Sequence, residues 1–171
     1  MRLEIGRKAL LILGFLVVLA GCGFHLRGNV SFPKEYQTAF VENNGPAYSR
    51  DGVEFYLKRQ LGSELRFVNQ REDADLIIDI DEGYDTRVTS SSLNGEIRGY
   101  TTDIFAQIKV TDSKGGVILP SSRFTRSRDF SIDEKEPLAK TTAEAAIKRN
   151  LADDLSRVFI RRLIAVMKAK Q

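Results

Sequence analysis

Apolar positions along this chain follow three different patterns. From Ala9 to Ala20 the run is almost unbroken. It falls short of the roughly 20 residues that span a bilayer and has about the length of a secretory signal's apolar region. Gly23 to Pro33 shows no periodicity and reads as a tether. Tyr36 to Asn43 then predicts a first strand, stopped by Asn43-Asn44-Gly45-Pro46. Pro46 is suited to open a helix, along which Val53, Tyr56, Leu57 and Leu61 make one apolar stripe. Gly52 weakens that helix without forbidding it.

Strand alternation dominates the middle of the chain. Leu76, Ile78 and Ile80 share one face, while Ile77, Asp79 and Asp81 share the other. This strand is predicted to continue through Tyr84 to Thr89. Asn94-Gly95, the pair most typical of a tight hairpin turn, leads to a second strand. There Tyr100, Thr102, Ile104, Ala106, Ile108 and Val110 oppose Thr101, Asp103, Phe105, Gln107 and Lys109. A turn at Asp112-Ser113-Lys114-Gly115-Gly116 introduces a strand from Val117 to about Phe130, broken or bulged at Pro120. After Pro137, Leu138 to about Met167 reads as a long helix. Its predicted buried face is Ile147, Leu151, Leu155, Val158, Phe159, Leu163 and Val166, with Lys148, Arg149, Asp153, Arg157 and Arg161 pointing elsewhere. The order β-α-β-β-β-α predicts an α+β two-layer sandwich. In it a four-stranded, mostly antiparallel or mixed sheet packs against two helices.

The N-terminal pattern gains meaning from its flanks. Arg2, Arg7 and Lys8 precede the apolar run, and Leu19-Ala20-Gly21-Cys22 follows it. Small residues before a cysteine match the lipobox of a bacterial lipoprotein precursor. Cys22 is the only cysteine in the chain, so it is the expected lipidation site and no internal disulfide can form. The expected organisation is a cleaved signal peptide over 1–21, a lipidated tether over 22–34 and a single domain over 35–171. Gly23, where inner-membrane lipoproteins carry Asp, favours the outer membrane as the location. Residues 1–21 hold three of the 26 basic residues and one of the 23 acidic ones, leaving 23 against 22. A protein that coats nucleic acid is therefore not expected.

Catalytic chemistry finds little support in the residues. His25, the only histidine, lies in the tether without a Cys or His partner for a metal. Asp79/Asp81 and Asp153/Asp154 read as solvated faces, and Ser90-Ser91-Ser92 has no neighbouring base. No phosphate-cradling glycine loop is present. No catalytic residue, metal site or cofactor is expected, and the chain reads as a binding protein. The basic residues Arg123, Arg126 and Arg128 are interleaved with Phe124 and Phe130. Regular strand geometry puts Arg126 and Arg128 on one face and Arg123 on the other. Lys140 sits near the start of the last helix, whose N-terminus also attracts anions. Cations beside apolar groups suit a phosphorylated amphiphile, but a solvated sheet face or a protein interface accounts equally well for the arginines.

The octet Gly21-Cys22-Gly23-Phe24-His25-Leu26-Arg27-Gly28 is very similar to the start of LptE-family proteins, the LPS-assembly lipoproteins. Phe24 to Arg27 are not needed for lipidation. Weaker likenesses follow at Gly45 to Arg50, at Asn94-Gly95 with Tyr100, and at Leu138-Ala139-Lys140. The resemblance implies an outer-membrane lipoprotein that plugs the lumen of the LptD β-barrel, assists its assembly and binds lipopolysaccharide. It also implies a small sheet on two helices. Lys140 matches a family lysine implicated in lipopolysaccharide contact. A second family basic position, just before the hairpin Asn-Gly, is Leu93 here, and Arg87 or Arg98 nearby are the candidate substitutes. With Arg126 and Arg128 these make up the candidate lipopolysaccharide site. The alternatives are an auxiliary lipoprotein of phospholipid transport, a periplasm-facing solute-binding lipoprotein, or an enzyme. Phe24 to Arg27 argue against the first, and the missing catalytic constellation against the last.

Overall fold

The computed structural model describes residues 32–45, 51–91, 97–131 and 137–169. Ser31–Gln171 forms one compact unit; Met1–Val30, with Cys22, lies outside the described residues. Strand β1 (Thr38–Asn43) is followed by helix α1 (Val53–Leu61) and a short strand β2 (Arg66–Phe67). Three long strands follow, β3 (Leu76–Ser91), β4 (Ile97–Asp112) and β5 (Val117–Ser131), and then helix α2 (Pro137–Ala169). The result is an α+β fold with one mixed sheet in the order β2-β1-β3-β4-β5. β1 runs parallel to β2 and β3, while β3–β4 and β4–β5 are antiparallel.

The expected sheet of four strands gains a fifth. β2 forms because Arg66 N–H donates to Gln37 O at 2.9 Å and Val68 N–H to Ala39 O at 3.0 Å. Two residues leave no periodic signature, and the pairing is made by chain far away in sequence. The long strands follow the alternation closely. Leu76, Ile78 and Ile80 are at most 1% exposed and face the helices with Ile104, Ala106 and Ile108 of β4. The β4–β5 register shifts around Pro120, which has no N–H for the ladder. At the preceding turn Gly115 takes φ +84, and Asp112 Oδ1 accepts the N–H groups of Lys114 and Gly116 at 2.9 and 2.7 Å. Asn94-Gly95 and Pro46 lie outside the described residues.

All four residues of the α1 stripe are buried. On α2 the buried face is broader than a single stripe predicts. Ile147, Leu151, Leu155, Phe159 and Leu163 are buried, Val158 and Val166 are only partly so, and Ala152, Ile160 and Met167 join the core. The extra width arises because α2 packs on α1 as well as on β4 and β5. At that helix crossing the fully buried Ser156 hydroxyl donates to Ala152 O at 2.8 Å and Val53 O at 3.1 Å. Among the described residues no helix is long and apolar enough to cross a membrane.

Candidate functional site

The first turns of α2 lie over the covered face of the sheet near its β3–β4 hairpin end. Tyr100 on β4 and Phe130 on β5 are register partners, and their rings stack at 5.3 Å. Lys140 is itself exposed, yet its Nζ sits 4.3 Å from the Tyr100 ring centroid. That geometry attracts the ammonium to the ring's negative face and holds it in place without consuming its charge.

One turn on, Glu144 joins helix to sheet. Its Oε1 accepts from Thr86 Oγ1 at 3.0 Å and lies 2.9 Å from Lys148 Nζ. Thr86 and Thr102 share a hydroxyl hydrogen bond across β3 and β4, also at 3.0 Å. The Lys148 hydrogen bond holds the Glu144 carboxyl below its ordinary range, helped by Thr86 and the charges of Lys148 and Lys140, against the opposing effect of burial. Lys148 also lies 5.5 Å from the Tyr84 ring centroid. Lys140, Glu144 and Lys148 thus form one line along α2, at spacings of four.

The candidate cations divide between the two faces of the sheet. Arg126 and Arg128 pair in register with Ile104 and Thr102, on the same face as Tyr100. Arg128 lies 3.6 Å from Asp154 of α2, and Arg126 donates to Thr125 O at 3.0 Å. Arg123 is on the other face, 4.4 Å from the Phe105 ring centroid. Arg87 shares that uncovered face and pairs with Asp103, which also accepts from Ser127. The Ser127 hydrogen bond is the main reason the Asp103 carboxyl is held below the usual range, with Arg87 adding to it. Arg98 belongs to β4, but its side chain, like Leu93, lies outside the described residues.

A model of the family described as Lipopolysaccharide-assembly, LptE, matches residues 36–163. The chain belongs to the LptE family. It is 31% identical over 170 residues to the LPS-assembly lipoprotein LptE of Photorhabdus laumondii, covering 94% of this chain and 87% of the relative. To the LPS-assembly lipoprotein LptE of Yersinia enterocolitica it is 30% identical over 174 residues, covering 96% of this chain and 79% of the relative. The solution structure of lipoprotein B from Nitrosomonas europaea has the same fold. Its TM-score is 0.66 at 20% identity, with 86% of this chain and 94% of that one covered.

Within this LptE-family domain, the rim around Lys140 holds two residues that sequence reasoning did not assign to it. Lys148 was expected to point away from the core but is partly buried against Tyr84. Phe130 appears in the sequence only as an apolar residue among arginines, yet it completes the stack under Lys140. The four-residue spacing of Lys140, Glu144 and Lys148 was the available signal. Among the described residues no cluster of His, Cys, Asp or Glu could hold a metal ion.

Proposed function

We propose that this chain is an outer-membrane lipoprotein, anchored through Cys22, that plugs the lumen of the LptD β-barrel and assists its assembly. In that position it binds lipopolysaccharide through the rim at Lys140. Membership of the LptE family supports the setting. The single observation that carries the lipid contact is Lys140, an exposed ammonium braced on the Tyr100–Phe130 stack at the start of a helix. Lipid A phosphates need fixed cationic donors, and the helix N-terminus reinforces the charge. The uncovered sheet face supports the plug: its polar side chains bond to one another across strands, which suits the polar interior of a large barrel.

Mild detergent extraction followed by pull-down on this protein tests the plug. A barrel of LptD size is expected to co-purify, and recovery of the protein alone would overturn the reading. For the lipid contact, Lys140→Asp is expected to weaken lipopolysaccharide binding about ten-fold, with an unchanged far-UV spectrum. Unchanged binding would remove Lys140 from the site.

A further inference from the structure

The two edges of the sheet are very unequal. One ends in β2, which is two residues long; the other is β5, fifteen residues long. Among the described residues no strand pairs with the outer side of β5. From Ser122 to Ser131 the register with β4 is unbroken, so half of this strand's backbone groups point regularly away from the sheet. Seven of the ten residues of that stretch are exposed, and Ser122, Phe124 and Phe130 are partly so. Such an edge is a template for another extended chain.

The side chains on β5 restrict what that chain can be. Arg123 projects on the uncovered face, and Arg126 and Arg128 project on the helix-covered face. Asp129 is the one acid between Val117 and Ser131, and it already accepts from Thr101 Oγ1 at 2.5 Å. Two copies joined edge to edge would bring this arginine-rich stretch against itself, and like charges opposed across a strand pair are destabilising. A strand bearing carboxylates at alternate positions would instead meet a guanidinium on whichever face it displayed them.

We infer that the outer edge of β5 is a docking site for an extended, acidic polypeptide segment, added to the sheet as a sixth strand. The ladder supplies the attachment, and Arg123, Arg126 and Arg128 supply the selection. The same arginines keep the edge from pairing with its own copies. This edge adjoins the Lys140 rim at Phe130 and shares Arg126 and Arg128 with the candidate lipopolysaccharide cations, but it does not depend on the barrel reading.

The test uses the full chain in detergent micelles and a synthetic peptide of about ten residues alternating Glu and Thr, with a Lys/Thr peptide as control. Amide hydrogen exchange read by NMR should slow at alternate residues of β5 between Ser122 and Ser131 with the Glu/Thr peptide only. Arg126→Glu should weaken that peptide about ten-fold and admit the Lys/Thr peptide; Arg126→Gln should lie between the two. Protection elsewhere, equal binding of both peptides, or no binding would overturn the proposal. So would β5 protection that appears on concentrating the protein alone, since a second copy would then be the occupant.

Discussion

The two faces of the sheet are made by the same three long strands and differ in what lies on them. On the covered face Leu76, Ile78, Ile80, Ile104 and Ile108 interdigitate with α1 and α2, and none is more than 1% exposed. On the other face Arg87, Asp103 and Ser127 bond in a row across β3, β4 and β5, with Thr101–Asp129 and Gln107–Ser121 beside them. The far end of the Phe105 ring fills the space where Gly83 has no Cβ. Cross-strand polar pairs contribute roughly 0.2–1 kcal/mol each, against about 1.5–3 kcal/mol for burying one large apolar side chain. Period-two patterning therefore splits the labour: one face holds the domain together, and the other is left to make contacts with little structural cost when it changes.

The sharpest way to break that comparison is to damage the covered face. Phe159 is fully buried and meets Phe124 edge-on at 5.8 Å between centroids, joining α2 to β5. Phe159→Ala removes the ring and leaves a cavity that neighbouring side chains fill only partly. A loss of about 3–5 kcal/mol is expected in chemical denaturation. A loss under about 1 kcal/mol would mean that α2 is not held by this core.

Glu82 is the exception within the covered face. It is 2% exposed, and its partners are neutral amides: Oε2 accepts Val53 N–H at 2.8 Å and Oε1 accepts from Asn43 Nδ2 at 2.7 Å. A Cβ at Gly52 would lie 2.6 Å from Oε1, so the turn into α1 is moulded on this carboxylate. Glu82→Ala leaves a buried N–H unpaired at the helix start, and a loss of about 1–3 kcal/mol is expected. Burial raises the Glu82 carboxyl above its ordinary value, with Glu54 of α1 adding to the shift and the two hydrogen bonds opposing it. A raised acid binds its proton more tightly when folded, so its contribution is fully present below the unfolded value. It declines as pH rises through the folded one. The stability difference between wild type and Glu82→Ala should therefore shrink from acid to neutral pH. Asp75, Asp103 and Glu144 are shifted downward and act oppositely, but both proteins carry them, so the difference isolates Glu82. A difference that grew with pH would show that the hydrogen bonds outweigh burial.

Glu82 also marks where reading the sequence runs out. The covered and uncovered faces were legible because alternation in β3 and β4 is nearly unbroken, and the α1 stripe because four residues recur at helical spacing. Nothing local announces Glu82: its partners Val53 and Asn43 lie 29 and 39 residues away. The same holds for β2, whose pairing is made by distant backbone, and for the Tyr100–Phe130 stack, which needs the β4–β5 register. Lys140 was a candidate from its place near a helix start and from the resemblance, but the aromatic stack beneath it was not read from the sequence. Strand parity puts Arg87 on the face of Asp79 and Asp81. Its partnership with Asp103 followed only from β3 and β4 being brought into register.

The smallest expected effect belongs to the uncovered face and tests the other half of the comparison. Arg87 pairs with Asp103 across β3 and β4, but its side chain is 54% exposed. Solvent screens such a pair, and holding two mobile side chains together costs entropy, so Arg87→Ala should lower stability by about 0–1 kcal/mol. The lowered Asp103 carboxyl makes any contribution present above its ordinary value and lost as pH falls through the folded one. Ser127 supplies the largest single contribution to that shift and survives the substitution, so part of the acid dependence should survive with it. Urea denaturation of Arg87→Ala at neutral and acid pH separates the two contributions. A loss above about 2 kcal/mol would make the uncovered face part of the domain's stability, and the division of labour between the faces would fail there.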